Sequence, residues 1–159
     1  MKFSVVIVNY AYWPLTRRCL GSLYATGYED FEVVVVDNDK PEPPEIVHPA
    51  RVIRNKENLG FARACNQGIS ASSGELVVLV NPDALVEQRF FRRVEAFFAE
   101  NPSVGVAGPR VLDADGRVQL SARRELSMIS GLFSRAGRGS MAQRVPKKVP
   151  SESTIGTEM

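Results

Sequence analysis

Four apolar runs of strand length alternate along the chain with segments whose apolar residues recur every three or four positions. KFSVVIVNY (residues 2–10) and FEVVVVDN (31–38) are nearly continuous β-branched runs, which suits strands covered on both faces. ARVIRN (50–55) reads as a shorter third strand and ELVVLV (75–80) as a fourth. Between the first two, Pro14 opens a helix with Leu15, Cys19 and Leu23 at helical spacing, and Gly27 closes it. A second helix is predicted over about residues 60–70, with Asn58 placed to cap it and Phe61, Ala64 and Cys65 facing inward. Phe90, Phe91, Val94, Phe97 and Phe98 mark one face of a third, which ends before Asn101-Pro102.

Strands alternating with helices predict an α/β fold: a mainly parallel, Rossmann-like sheet flanked by helices. In such sheets ligands bind beyond the carboxyl ends of the strands. Three polar clusters stand there: Asn9-Tyr10, Asp37-Asn38-Asp39 and Asn81-Pro82-Asp83. Parallel strands would bring all three to one edge, where they could line one cleft. Asn and Asp also form turns after any strand, so a single cluster means little; three are harder to dismiss.

Farther on, RVLDADGRVQL (110–120) predicts a β-hairpin turning at Asp115-Gly116. SARRELSMISGLFSR (121–135) fits a helix or a loop, and residues 136–159, rich in chain breakers, read as a disordered tail. The expected organisation is one domain over 1–135 followed by that tail.

Of 159 residues, 44% are hydrophobic and 24% charged, which excludes fibrous and disordered classes. No apolar run is long enough to cross a bilayer and no cleavable leader is recognisable, so a cytoplasmic location is expected. Cys19 and Cys65 lack metal or redox spacing and read as buried structural thiols. His48, in a Pro-rich stretch, receives no role. The net charge of +2 conceals a basic run from Arg110 to Lys148, suited to a solvated tail or to peripheral contact with an anionic membrane.

Neither GxGxxG after the first strand nor GxxxxGK[ST] occurs, so a bound nucleotide needs another phosphate anchor. A divalent cation, Mg or Mn, meets that need with a carboxylate, waters and the substrate's own phosphate oxygens. Asp83 at a strand end is the candidate metal ligand, with Asn81 beside it for a sugar hydroxyl.

SVVIVNY, RCLGSL, VVVVDN, NKENLGFARACNQGI, LVVLVNPDALV and VGVAGPRVLDADGRVQLSARR follow one another as in bacterial family 2 glycosyltransferases, and the chain most resembles their rhamnosyltransferase-like branch over residues 3–125. The resemblance implies a GT-A nucleotide-sugar domain. By its pattern Val8, Asn9, Tyr10 and Asp37 contact the nucleoside, while Asn58, Gly60, Arg63 and Asn66 border the diphosphate. Asn81 and Asp83 stand where the family has its DxD-type motif. It further implies inverting transfer, with rhamnose as the sugar the branch suggests, to a saccharide or lipid-linked acceptor in cell-envelope polysaccharide synthesis. No nucleic-acid partner is expected.

Two departures qualify that expectation. The family's acidic downstream motif, which carries the general base, has no counterpart after Asp83, so no catalytic base is assigned. DNDKPEPP (37–44) also lacks the usual second Asp of its loop. The alternatives are a shortened donor-binding fragment or a non-catalytic α/β nucleotide-binding module. A receiver-type signalling domain is disfavoured, because its acidic pair would follow the first strand, where Asn9-Tyr10 stands.

Overall fold

The computed structural model describes residues 1–39, 47–113 and 115–119. The element order is β1 (Phe3–Asn9), α1 (Trp13–Tyr24), β2 (Phe31–Asp37), β3 (Arg51–Arg54), α2 (Phe61–Ala71), β4 (Leu76–Val80) and α3 (Phe90–Glu100). The strands form one sheet in the order β3-β2-β1-β4. All pairings are parallel, with Asn9 opposite Asp37 and Ile7 opposite Val80. The α/β reading therefore holds, and all four strands end at one edge.

The core divides by strand alternation. Phe3, Val5, Ile7, Val33 and Val35 point to the face covered by Trp13, Leu20, Leu23 and Phe91, on α1 and α3. Val6, Val8, Val34 and Val36 point to the other, against Ala64 and Cys65 of α2. Aromatic rings tighten the first face: Phe91 packs on Phe3, Tyr28 and Phe31 at centroid distances of 5.1, 5.0 and 4.9 Å. On the second, the helix lies so close that a Cβ on Gly68 would stand 2.2 Å from Val6 Cγ1 and 3.3 Å from Val36 Cγ2.

Several local expectations are corrected. Asn58 does not cap α2: Gly60 is the N-cap residue, at φ +80°, and the Asn58 Oδ1 accepts the Gly60 N–H at 2.8 Å. A left-handed backbone there favours glycine, and Asn58 secures the turn before the helix rather than the helix itself. Phe61 is 60% exposed rather than inward, because α2 begins beyond the strand ends, beside Asn38. β4 is covered on one face: Leu76, Val78 and Val80 pack into the core of α1 and α3, whereas Val77 and Leu79 are exposed. As a strand paired only with β1 among the described residues, it carries the alternation of a half-buried edge.

The chain divides into two units after Pro102, and the described residues beyond that point are 103–113 and 115–119. In the second, the hairpin expectation survives in reduced form as a single antiparallel bridge, Leu112 to Val118. Asp113 Oδ1 accepts the N–H groups of Asp115 and Arg117, and Gly116 takes φ +76° at the turn. The expectations for 121–135 and for the tail 136–159 lie outside the described residues, as does most of the basic run. No helix among the described residues is long and apolar enough to cross a membrane.

Candidate functional site at the carboxyl edge of the sheet

At the end of β1, Asn9 is fully buried, and so is Asp37 on the neighbouring strand. The Asn9 Nδ2 donates to Asp37 Oδ1 at 2.9 Å, and Thr16 Oγ1, on the first turns of α1, donates to Asn9 Oδ1 at 2.8 Å. The Asp39 N–H also reaches Asp37 Oδ1, at 3.4 Å. Asp37 Oδ2 is buried and has no hydrogen-bond partner among the described residues. A buried carboxylate oxygen left unpaired is costly, and such exceptions call for a specific explanation.

The next residues leave the sheet. Val8 remains buried in the α2-side core, while Tyr10 is 58% exposed. Ala11 holds φ 59°, a left-handed conformation uncommon outside glycine, so the chain turns sharply between β1 and α1. Tyr10, Tyr12 and Phe61 are all exposed aromatics on segments at this edge.

A second polar network follows β2 and β3. Asn55 Nδ2 donates to Asn38 Oδ1 and to Gln67 Oε1, each at 2.8 Å, and Gln67 Nε2 returns a bond to Asn55 Oδ1 at 2.9 Å. Asn38 Nδ2 reaches the Gly60 carbonyl at 3.5 Å. These amides tie the loops after two strands to α2 and its N-terminal turn. Arg63 and Asn66, both exposed, do not join the Asn9-Asp37 cluster; they line a shallow groove beside β3 with Arg51 and Gln67.

Asn81 and Asp83 are exposed just past β4. Asp83 acts electrostatically on Cys19 of α1: burial first, and then this carboxylate, push the Cys19 thiol up to about 12. Cys65 is raised by burial as well, so both thiols are inert and structural, as expected. His48 stacks on Tyr24 at 4.9 Å, a packing role away from this edge. Among the described residues no three His, Cys, Asp or Glu side chains converge as a metal cage.

Thr16, Asn55 and Gln67 were missed by the sequence reading. Thr16 left a trace there: with Cys19, Leu20 and Leu23 it shares one helical face at i, i+3, i+4 and i+7, a polar residue on an apolar stripe.

The family model for "Glycosyl transferase family 2" matches residues 4–153. The chain belongs to this family. It is 29% identical over 144 residues, 80% of its length, to the N-acetylglucosaminyl-diphospho-decaprenol L-rhamnosyltransferase of Mycobacterium tuberculosis, and covers 47% of that protein. It is 27% identical over 126 residues, 72% of its length, to the minor teichoic acid biosynthesis protein GgaB of Bacillus subtilis, covering 14% of it. Among solved structures it is similar to TarS of S. aureus in complex with UDP-GlcNAc, with 27% identity and a TM-score of 0.58 over 64% of this chain and 32% of that one. The mannosyltransferase PcManGT of Pyrobaculum calidifontis, in complex with GDP-Man and Mn²⁺, gives 26% identity and a TM-score of 0.59 over 65% and 34%. The family 2 chain thus spans between 14% and 47% of the length of its curated relatives. It is a member of a glycosyltransferase family, with a GT-A-like fold.

Proposed function

We propose that this family 2 chain binds a nucleoside-diphosphate sugar at the carboxyl edge of the sheet and transfers the sugar, with inversion, to a saccharide or lipid-linked acceptor. The observation that carries the reading is Asp37 Oδ2, a buried acceptor without a donor among the described residues, fixed at the end of a strand. An ionised carboxylate can only accept, so its complement is an N–H or O–H group, which a nucleobase or a ribose supplies. Val8, Asn9 and Tyr10 flank it on the nucleoside side. Asn58, Gly60, Arg63 and Asn66 are assigned to the diphosphate side, where the glycine turn lets backbone N–H groups approach closely.

Asp83 fits one ligand of a divalent cation, Mg or Mn, because it is exposed, acidic and next to a strand end. The scarcity of neighbouring carboxylates suits an ion that keeps several waters and takes diphosphate oxygens. Such an ion neutralises the charge of a departing nucleoside diphosphate. Asn81, two residues earlier, offers both a donor and an acceptor to a sugar hydroxyl. The relative named as an L-rhamnosyltransferase and the one named for minor teichoic acid biosynthesis support rhamnose and an envelope polysaccharide as the sugar and product; the proposal adds a cytoplasmic location, with the basic run from Arg110 resting on anionic lipid.

A second reading, donor binding without turnover, is favoured by one observation beyond α3. There the described carboxylates are Asp113 and Asp115, and Asp113 is occupied by its hairpin. No residue is therefore assigned as general base.

Calorimetric titration with dTDP, UDP and GDP, in Mn²⁺ and in EDTA, tests the proposal. Metal-dependent binding that is lost in Asp83→Ala supports it, and failure of every nucleotide to bind overturns it. Product formed on a lipid-linked acceptor separates full transfer from donor binding alone. Sedimentation with anionic liposomes that ignores salt would remove the membrane contact.

A further inference from the structure

The proposed donor site has a buried support that none of the assigned residues explains. The Asn9 group facing Asp37 is the amide NH₂, which donates to Asp37 Oδ1. This leaves the Asn9 oxygen pointing at Thr16, whose hydroxyl must then donate to it. Each member fixes the polarity of the next. Thr16, Asn9 and Asp37 are all fully buried, so water does not substitute for any of the three. The chain ends on Asp37 Oδ2, the one oxygen of the carboxylate that remains for a ligand.

We propose that Thr16 is a positioning residue for the nucleoside: through Asn9 it sets the rotation of the Asp37 carboxylate, so that Oδ1 is consumed within the protein and Oδ2 is presented to the donor. This inference rests on the proposed nucleotide-sugar reading and names a residue that the family pattern did not supply. Loss of the Thr16 hydroxyl leaves the buried Asn9 Oδ1 without a donor and removes the restraint on the amide plane, so that Asn9 no longer holds the Asp37 carboxylate in one rotation. Serine at position 16 keeps the donor and the polarity.

Nucleoside-diphosphate affinity is measured for wild type, Thr16→Val, Thr16→Ser, Asp37→Asn and the Thr16→Val/Asp37→Asn pair, each shown folded by thermal melting. Thr16→Val is expected to weaken binding about tenfold or more, with Thr16→Ser within about threefold of wild type. In the Asp37→Asn background the further change to valine should have little additional effect, since Thr16 acts through Asp37. A merely structural threonine would lower the melting temperature and leave affinity unchanged. That result, or full additivity in the pair, overturns the inference while the donor-site reading stands. Absence of binding in the wild type overturns both. Thr16→Ala replaces Thr16→Val if the valine variant does not fold, with the same outcomes.

Discussion

Asn9 and Asp37 are register partners on adjacent parallel strands, and their side chains are joined by a buried hydrogen bond of 2.9 Å at the edge where both strands end. Side chains at paired positions emerge on the same face, so a one-residue slip of β1 against β2 would break this contact. The β-branched core on that same face, Val5 and Ile7 beside Val33 and Val35, holds that register. Sheet packing and site geometry are thus one arrangement.

Asp37→Asn should separate stability from binding. The amide oxygen can still accept from Asn9, while the buried carboxylate oxygen that has no donor among the described residues disappears. Stability to urea is expected to stay level or rise by roughly 1 kcal/mol, and nucleotide affinity to fall at least tenfold. Chemical denaturation beside calorimetry checks both signs. A loss of stability with unchanged affinity would make Asp37 a structural residue.

Gly68→Ala should destabilise the chain by about 1–3 kcal/mol, because the added methyl meets Val6 and Val36, two stiff β-branched side chains. Val6→Ala, which removes the nearest obstacle, should recover part of that loss in the double variant. Urea midpoints of the two singles and the double measure the coupling.

The strands and helices were legible because burial imposes its period on them. Strand order was not, since four similar apolar runs carry no mark of which neighbours which. The α2 face illustrates the limit of periodicity: Phe61, Ala64, Cys65 and Gly68 share spacing, yet the sheet has already ended at Phe61, so a residue in phase is left exposed. β4 was legible as a strand, but its unbroken apolar run carries no sign of which face is covered: Val77 and Leu79 are exposed. At the candidate site, the sequence named Asn9, Asp37 and Asp83 from their place after strands. It did not name Thr16, Asn55 or Gln67, because their contacts span 7 to 17 residues and arise only after the crossovers fold.

The opposite edge of the sheet predicts a pH dependence. Glu32 Oε1 accepts from Ser4 Oγ at 2.6 Å, from the Ser73 N–H at 2.6 Å and from Ser73 Oγ at 2.8 Å. The Ser4 bond, followed by the Ser73 N–H, holds the Glu32 carboxyl down at about 2, against an ordinary 4.5. A depressed carboxyl contributes stability above its unfolded pKa and loses it as pH falls through the folded one. Glu32→Gln should therefore be less stable than wild type at pH 7. The difference should shrink below about pH 4.5 and vanish near pH 2, as thermal melts across that range would show.

Asp83 and Cys19 supply a probe of the metal assignment that needs no acceptor. The Cys19 thiol is held up by burial and by the Asp83 charge, so at pH 8 its thiolate is scarce and it should resist a disulfide reagent until the protein unfolds. Substituting Asp83→Asn removes the second influence and leaves the first, so Cys19 should titrate somewhat lower and remain protected at pH 8. A divalent cation seated on Asp83 opposes the same charge, and Mn²⁺ should lower the wild-type Cys19 titration in the direction that Asp83→Asn does. With Asp83→Asn as background, added Mn²⁺ should have no further effect. The slow rate of disulfide-reagent attack at pH 8, which follows the residual Cys19 thiolate, reads each case, with Cys65→Ser to leave a single thiol. A Mn²⁺ response that persists without the Asp83 carboxylate would place the cation elsewhere.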